Sequence, residues 1–203
     1  MASLQSLGQS PLLLTPDGDP LTITRTTSGP ATFSFDLSNS MTLVFDDVGE
    51  SDLSPTDGAT LLAGIYIPPG SSPNGTIMLA DSGSQEHMSM RWVDGKLECE
   101  LIRFFGDIAL SVRTEVPRSQ WVTCACASDE EFLYVYRNGE NRGNANHFLS
   151  EISPFLSISI GDDSAALPLS MTSVHFYGRY LDADEIASAH NAMVAAAGVL
   201  DTA

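Results

Sequence analysis

Basic residues are scarce in this chain, and Lys96 is the only lysine among 203 residues. Nine Lys and Arg face 26 Asp and Glu, a formal charge of -17. That balance repels a phosphate backbone and an anionic membrane surface, so neither nucleic acid nor membrane is an expected partner. Cationic ligands, metal ions and neutral glycans are left. Charged residues of both signs are few, 17% against about a quarter in a typical soluble domain. Ser, Thr, Gly and Asn must therefore supply much of the surface, which suits a salty environment or faces partly covered by neighbours.

Long apolar runs are missing as well. No stretch approaches the roughly twenty apolar residues of a membrane span, and Met1 to Ser10 has neither the basic cluster nor the apolar core of a signal peptide. These absences imply a chain made and kept in a cytosol, with no membrane insertion. Cysteines number three. Cys124 and Cys126, two apart on one strand, share a face and are poorly placed to bond each other, while Cys99 alternates with Leu97 and Leu101. They are read as buried reduced thiols, and without a CxxC pair and matching histidines zinc has little support.

Strand signals fill residues 20 to 178. Leu21 to Thr24 and Thr32 to Leu37 alternate apolar and polar, whereas Met41 to Phe45 and Leu61 to Ile67 are continuously apolar, as in strands covered on both faces. Asp94-Gly95 predicts a tight hairpin between His87–Val93 and Lys96–Phe104. About a dozen strands result, the number two packed sheets need. One helix is predicted over 183–197, with Asp182 as N-cap, Glu185 completing a capping box, and Leu181 stapled on Ile186. It is expected at an edge or end of the sheets.

Four elements of the last third carry a resemblance. Trp121-Val122-Thr123 opens a strand, Leu133 to Arg137 runs into Asn138-Gly139, Ile158-Ser159-Ile160 ends in Gly161-Asp162, and Val174 to Tyr177 leads to Leu181 and Glu185-Ile186. In this order and spacing they resemble the closing half of the concanavalin A-like jelly roll, in its laminin-G-like branch. The likeness extends back to about Ala31. It implies an all-β, antiparallel β-sandwich with one short C-terminal helix: a domain over 21–198, a segment 1–20 that is either an arm or a first strand, and a tail 199–203.

Glycoside hydrolases of the same superfamily carry Glu-x-Asp-x-x-Glu on one strand, and no such motif occurs here. Glu98 and Glu100 are the nearest candidates, read as the solvated face of a half-buried strand. Asp81-Ser82-Gly83 resembles the aspartic-protease signature but has no second copy and falls where a hairpin turn is expected. No Gly-x-Ser-x-Gly elbow or P-loop is present. The chain is read as no enzyme. Relatives of the resembled branch bind calcium in rim loops, which makes Asp162, Asp163, Asp46 and Asp47 the candidate ligands for that ion. Phe104, Phe105, Tyr136, Asn138 and Tyr180 are the candidate glycan or partner contacts. Asn74-Gly75-Thr76 matches an N-glycosylation sequon, but without a signal peptide it is read as a turn.

Two functions follow from these expectations. One is a structural or adhesive subunit, a virion component such as a phage capsid-decoration, tail or fibre protein, assembled in a host cytoplasm as a homo-oligomer on a capsid or tail protein. The other is a calcium-dependent carbohydrate-binding lectin module.

Overall fold

The computed structural model describes residues 15–16, 24–25, 33–36, 43–46, 58–70, 74–83, 86–103, 108–147, 155, 157–161 and 169–197. Among them the strands are β1 (Thr15–Pro16), β2 (Thr24–Arg25), β3 (Phe33–Asp36), β4 (Leu43–Asp46), β5 (Ala59–Tyr66), β6 (Gly75–Asp81), β7 (His87–Val93), β8 (Lys96–Arg103), β9 (Ile108–Glu115), β10 (Trp121–Ser128), β11 (Phe132–Arg137), β12 (Glu140–Asn146), β13 (Ser157–Ile160) and β14 (Ser170–Tyr177). One helix, α1 (Ala183–Ala197), follows them. The strands pair antiparallel into two sheets, a front sheet ordered β1-β4-β13-β6-β7-β8-β9 and a back sheet ordered β12-β11-β10-β5-β14-β3-β2. This is the β-sandwich with a C-terminal helix that the alternation predicts. Residues 21–23, 32, 37 and 41–42 of the expected early strands lie outside the described residues.

Alternation fixes which side of each strand is dry. Met88, Met90 and Trp92 of β7, Leu97, Cys99 and Leu101 of β8, Leu61, Ala63 and Ile65 of β5, and Leu133 and Val135 of β11 share one buried cluster between the sheets. Burying each larger side chain contributes about 1.5–3 kcal/mol, and a one-residue slip of β8 would exchange Leu97, Cys99 and Leu101 for Lys96, Glu98 and Glu100. Register is also set by the turns. Asp94 and Gly95 take φ of 51° and 81° and join β7 to β8, and Asn138 and Gly139 take 51° and 77° and join β11 to β12, the left-handed pair a two-residue hairpin requires. The strand β12 was not expected, because Glu140 to Asn146 carries no apolar alternation. It forms by pairing its backbone with β11.

Two further expectations are corrected. The cysteines are not all reduced: Cys99 of β8 and Cys126 of β10 form a disulfide, with Cα atoms 5.4 Å apart, that joins the two sheets through the core. Cys124 is the free, buried one. The bridge depends on strands from opposite sheets meeting, which spacing along the chain does not reveal. The helix reaches the β12 edge, as expected, but lies on a face rather than at an end. Leu181, Ile186 and Met193 pack with Leu62, Ala125, Ala127 and Tyr136 in a second cluster on the outer face of the back sheet. The small side chains of Ala125 and Ala127 leave a shallow bed there, and Leu62 explains why β5 is buried on both faces.

The capping box forms reciprocally. Glu185 N–H donates to Asp182 Oδ1 at 2.9 Å, and Asp182 N–H to Glu185 Oε2 at 3.1 Å.

Candidate functional site

With α1 over the back sheet, the outer face of the front sheet is the broad polar surface among the described residues. The Asp94-Gly95 turn sets Arg91 opposite Glu98 and Ser89 opposite Glu100, and β9 places Arg113 opposite Glu98 on the far side. Because Met90, Trp92, Leu97 and Cys99 face inward, these residues face out.

Their side chains form a bonded lattice. Arg91 Nη1 donates to both Glu100 oxygens at 3.0 Å and lies 3.7 Å from Glu98 Oε1. Arg113 Nε donates to Glu98 Oε2. His87 Nε2 and Ser89 Oγ each approach Glu100 Oε2 at 3.4 Å. Lys96 pairs with Glu115 at 3.0 Å on the next row. Glu98 is only 3% exposed, which corrects its reading as a solvated acid: two arginines roof it. The guanidinium side chains stay open, Arg91 at 35% and Arg113 at 43%.

Electrostatics argue against Glu100 as the general acid of a glycosidase. The hydrogen bond from His87 and the nearby Arg91 guanidinium hold the Glu100 carboxyl below its ordinary value, against the opposing effect of burial. A general acid needs the reverse, a carboxyl kept protonated by its surroundings. Both carboxylates accept hydrogen bonds from the arginines beside them. They can accept hydrogen bonds and orient guanidinium donors, which is the equipment of a binding surface.

The aspartic-protease resemblance resolves into a turn. Asp81 Oδ1 accepts from Gly83 N–H at 2.9 Å, and Ser82 N–H and Oγ both donate to Glu86 O at 3.0 Å.

The residues singled out from sequence are scattered. Asp47, Asp162, Asp163, Phe104 and Phe105 lie outside the described residues, and of Asp46 only its place at the end of β4 is described. Tyr136 is 2% exposed beneath α1, so its ring has no face to offer a sugar. Asn138 is a hairpin residue whose Oδ1 accepts from Thr123 N–H at 3.1 Å. Tyr180 is half-buried, its ring 5.5 Å from that of Tyr134. Burial raises the Tyr134 and Tyr136 hydroxyls well above their ordinary value, helped at Tyr134 by its bond to Asp129. Tyr136 and Tyr180 therefore meet in a packing cluster on the helix side. Sequence reasoning missed Arg91, Arg113 and His87, although the Asp94-Gly95 turn alone aligns Arg91 with Glu98.

The chain matches no family model and no curated protein. Among solved structures it is similar to the receptor-binding domain of a botulinum neurotoxin C/D mosaic serotype, at 15% identity and a TM-score of 0.74, covering 91% of this chain and 47% of that one. A botulinum neurotoxin D ligand-binding domain in complex with N-acetylneuraminic acid aligns at 15% identity and 0.68, covering 95% and 50%. A botulinum neurotoxin C structure, whose cell entry is described as dependent on two ganglioside molecules, aligns at 15% and 0.70, covering 95% and 51%. The chain thus spans about half the length of these neighbours, and at such identity the likeness establishes the fold: a β-sandwich shared with one part of larger receptor-binding proteins.

Proposed function

We propose that this chain is a non-catalytic recognition module that binds a neutral glycan on the outer face of its front sheet. The observation that carries the reading is the lattice of Arg91, Glu98, Glu100 and Arg113, whose carboxylates accept from guanidinium donors and whose arginine side chains are part-exposed, Arg113 more than Arg91. Fixed acceptors and donors on a flat sheet suit the hydroxyls of a sugar, because little ordering cost remains at binding.

Charge argues for a neutral ligand. On this face Arg91, Arg113 and Lys96 are matched by Glu98, Glu100 and Glu115, and the whole chain carries -17. An acidic sugar such as the one bound by the neurotoxin neighbour would meet a repulsive field. The test is a glycan array of neutral and sialylated structures, probed with and without a chelator. Binding confined to neutral glycans supports the reading, and loss on chelation would bring in the calcium loop acids Asp46, Asp47, Asp162 and Asp163. Binding to sialylated structures alone overturns the charge argument, and no binding at all overturns glycan recognition.

The narrower role, a structural or adhesive subunit of a virion built on a laminin-G-like jelly roll, rests on the sequence alone. A stable homo-oligomer by light scattering is its expected outcome, and a monomer counts against it.

A further inference from the structure

The sequon at Asn74-Gly75-Thr76 is a mere turn only in a chain kept in a cytosol. The Cys99–Cys126 bridge removes that condition. Both cysteines are fully buried between the sheets, so the bond is closed as the sandwich assembles, and structural disulfides of this kind belong to oxidising compartments. There an oxidised thiol–disulfide oxidoreductase accepts the two electrons and two protons that the thiols give up. In the folded chain Cys124 stays outside the bridge, buried, with its thiol pushed up to about 12 by that burial.

The acceptor geometry is present in the fold. Asn74 is exposed and immediately precedes β6. Its Oδ1 accepts from Asp94 N–H at 2.9 Å, which leaves Nδ2 as the amide's other end and anchors the side chain at the top of the β7–β8 hairpin. An amide whose nitrogen carries a sugar keeps its carbonyl, so this hydrogen bond survives modification. The middle residue is Gly75, and Ile77 follows Thr76, so no proline obstructs the motif.

From these two independent observations we infer that Asn74 is an N-linked glycan acceptor on a chain that folds in an oxidising secretory compartment. In the step, Asn74 Nδ2 bonds to the anomeric carbon of a lipid-diphosphate-linked oligosaccharide, the bond from that carbon to the diphosphate oxygen breaks, and the amide proton passes to a base of the transferase. The lipid diphosphate is the leaving group.

The test is to secrete the full chain from a eukaryotic cell behind a cleavable leader, measuring intact mass before and after peptide-N-glycosidase and titrating thiols in denaturant. Wild-type protein is expected to lose one glycan to the glycosidase and to show a single thiol. Asn74→Gln and Thr76→Ala should be secreted at the bare mass, and Thr76→Ser should keep the glycan, separating loss of the acceptor from loss of the fold. Secreted wild type at its bare mass, a glycan that persists in Asn74→Gln, or three titratable thiols would each overturn the inference.

Discussion

Glu98 shows how a single side chain can be misjudged from its own strand. Next to Leu97 and Cys99 it reads as the wet side of an alternating strand, yet Arg91 from β7 and Arg113 from β9 close over it. The carboxylate is buried because its neighbours on both sides are long cations, a relation that exists only once three strands align. Replacing it tests the lattice: Glu98→Gln removes the charge between two guanidinium groups that can still reach solvent. It should cost about 1–3 kcal/mol, read as a lower urea midpoint with an unchanged slope. His147 supplies a second residue-scale prediction. It is 6% exposed, and burial, with Arg103 nearby, lowers its pKa below 6.5. As pH falls below 6.5 the unfolded chain takes up a proton that the folded chain refuses, so stability declines, by at most about 1.4 kcal/mol per pH unit for one such group. Urea midpoints should drop from pH 7 toward pH 5, and His147→Gln should flatten the slope. Glu100 acts at lower pH. Its contribution is intact above its ordinary value of 4.5 and disappears as pH falls through its lowered folded pKa.

Elements differ in how much of themselves they write into local sequence. The β7–β8 hairpin and α1 were legible because their determinants are contiguous: Asp94-Gly95 for the turn, and Leu181, Asp182, Glu185 and Ile186 for the helix start. Asp182→Ala should therefore cost about 1 kcal/mol, seen as a lower thermal midpoint. The strand β12 left no such trace, since Glu140 to Asn146 is polar on both faces and is ordered by backbone bonds to β11. Where α1 lies was equally hidden. Its bed is made by Ala125 and Ala127 of β10 beside Leu62 of β5, and alternation cannot tell a face covered by a helix from one covered by a sheet. The inter-sheet disulfide belongs here too. Closing a loop of 27 residues, it should stabilise the fold by about 3.5 kcal/mol. Reduction, or the Cys99→Ala/Cys126→Ala pair, should lower the unfolding free energy by that order in denaturant titrations. A change within error would show that the bridge does not form in the folded protein.

At the scale of the whole molecule, the two sheets differ in what their outer faces carry. The back sheet turns its outer side to α1 and an aromatic cluster, and the front sheet turns its outer side to paired charges. The fold class was readable from the order of four elements, because a strand opening at Trp121, strand ends at Asn138-Gly139 and Gly161, and a helix start after Leu181 are each written locally. The front-sheet lattice was not, because it is assembled from three strands whose charges cancel only in register, and the cover that α1 gives Tyr136 leaves no trace in the strand that carries it. Assembly into a virion remains a reading of the sequence, tested by the oligomeric mass.

The most direct test of the central claim is titration calorimetry of the full chain with the neutral glycan that scores highest on the array, comparing wild type with Arg113→Ala on the front face and Arg142→Ala on the far edge of the back sheet. The account predicts that Arg113→Ala, which uncovers Glu98 and lowers the urea midpoint but leaves the protein folded at the assay temperature, weakens binding at least tenfold, about 1.4 kcal/mol, while Arg142→Ala leaves binding unchanged. Equal affinity in all three proteins would place the ligand elsewhere and contradict the account.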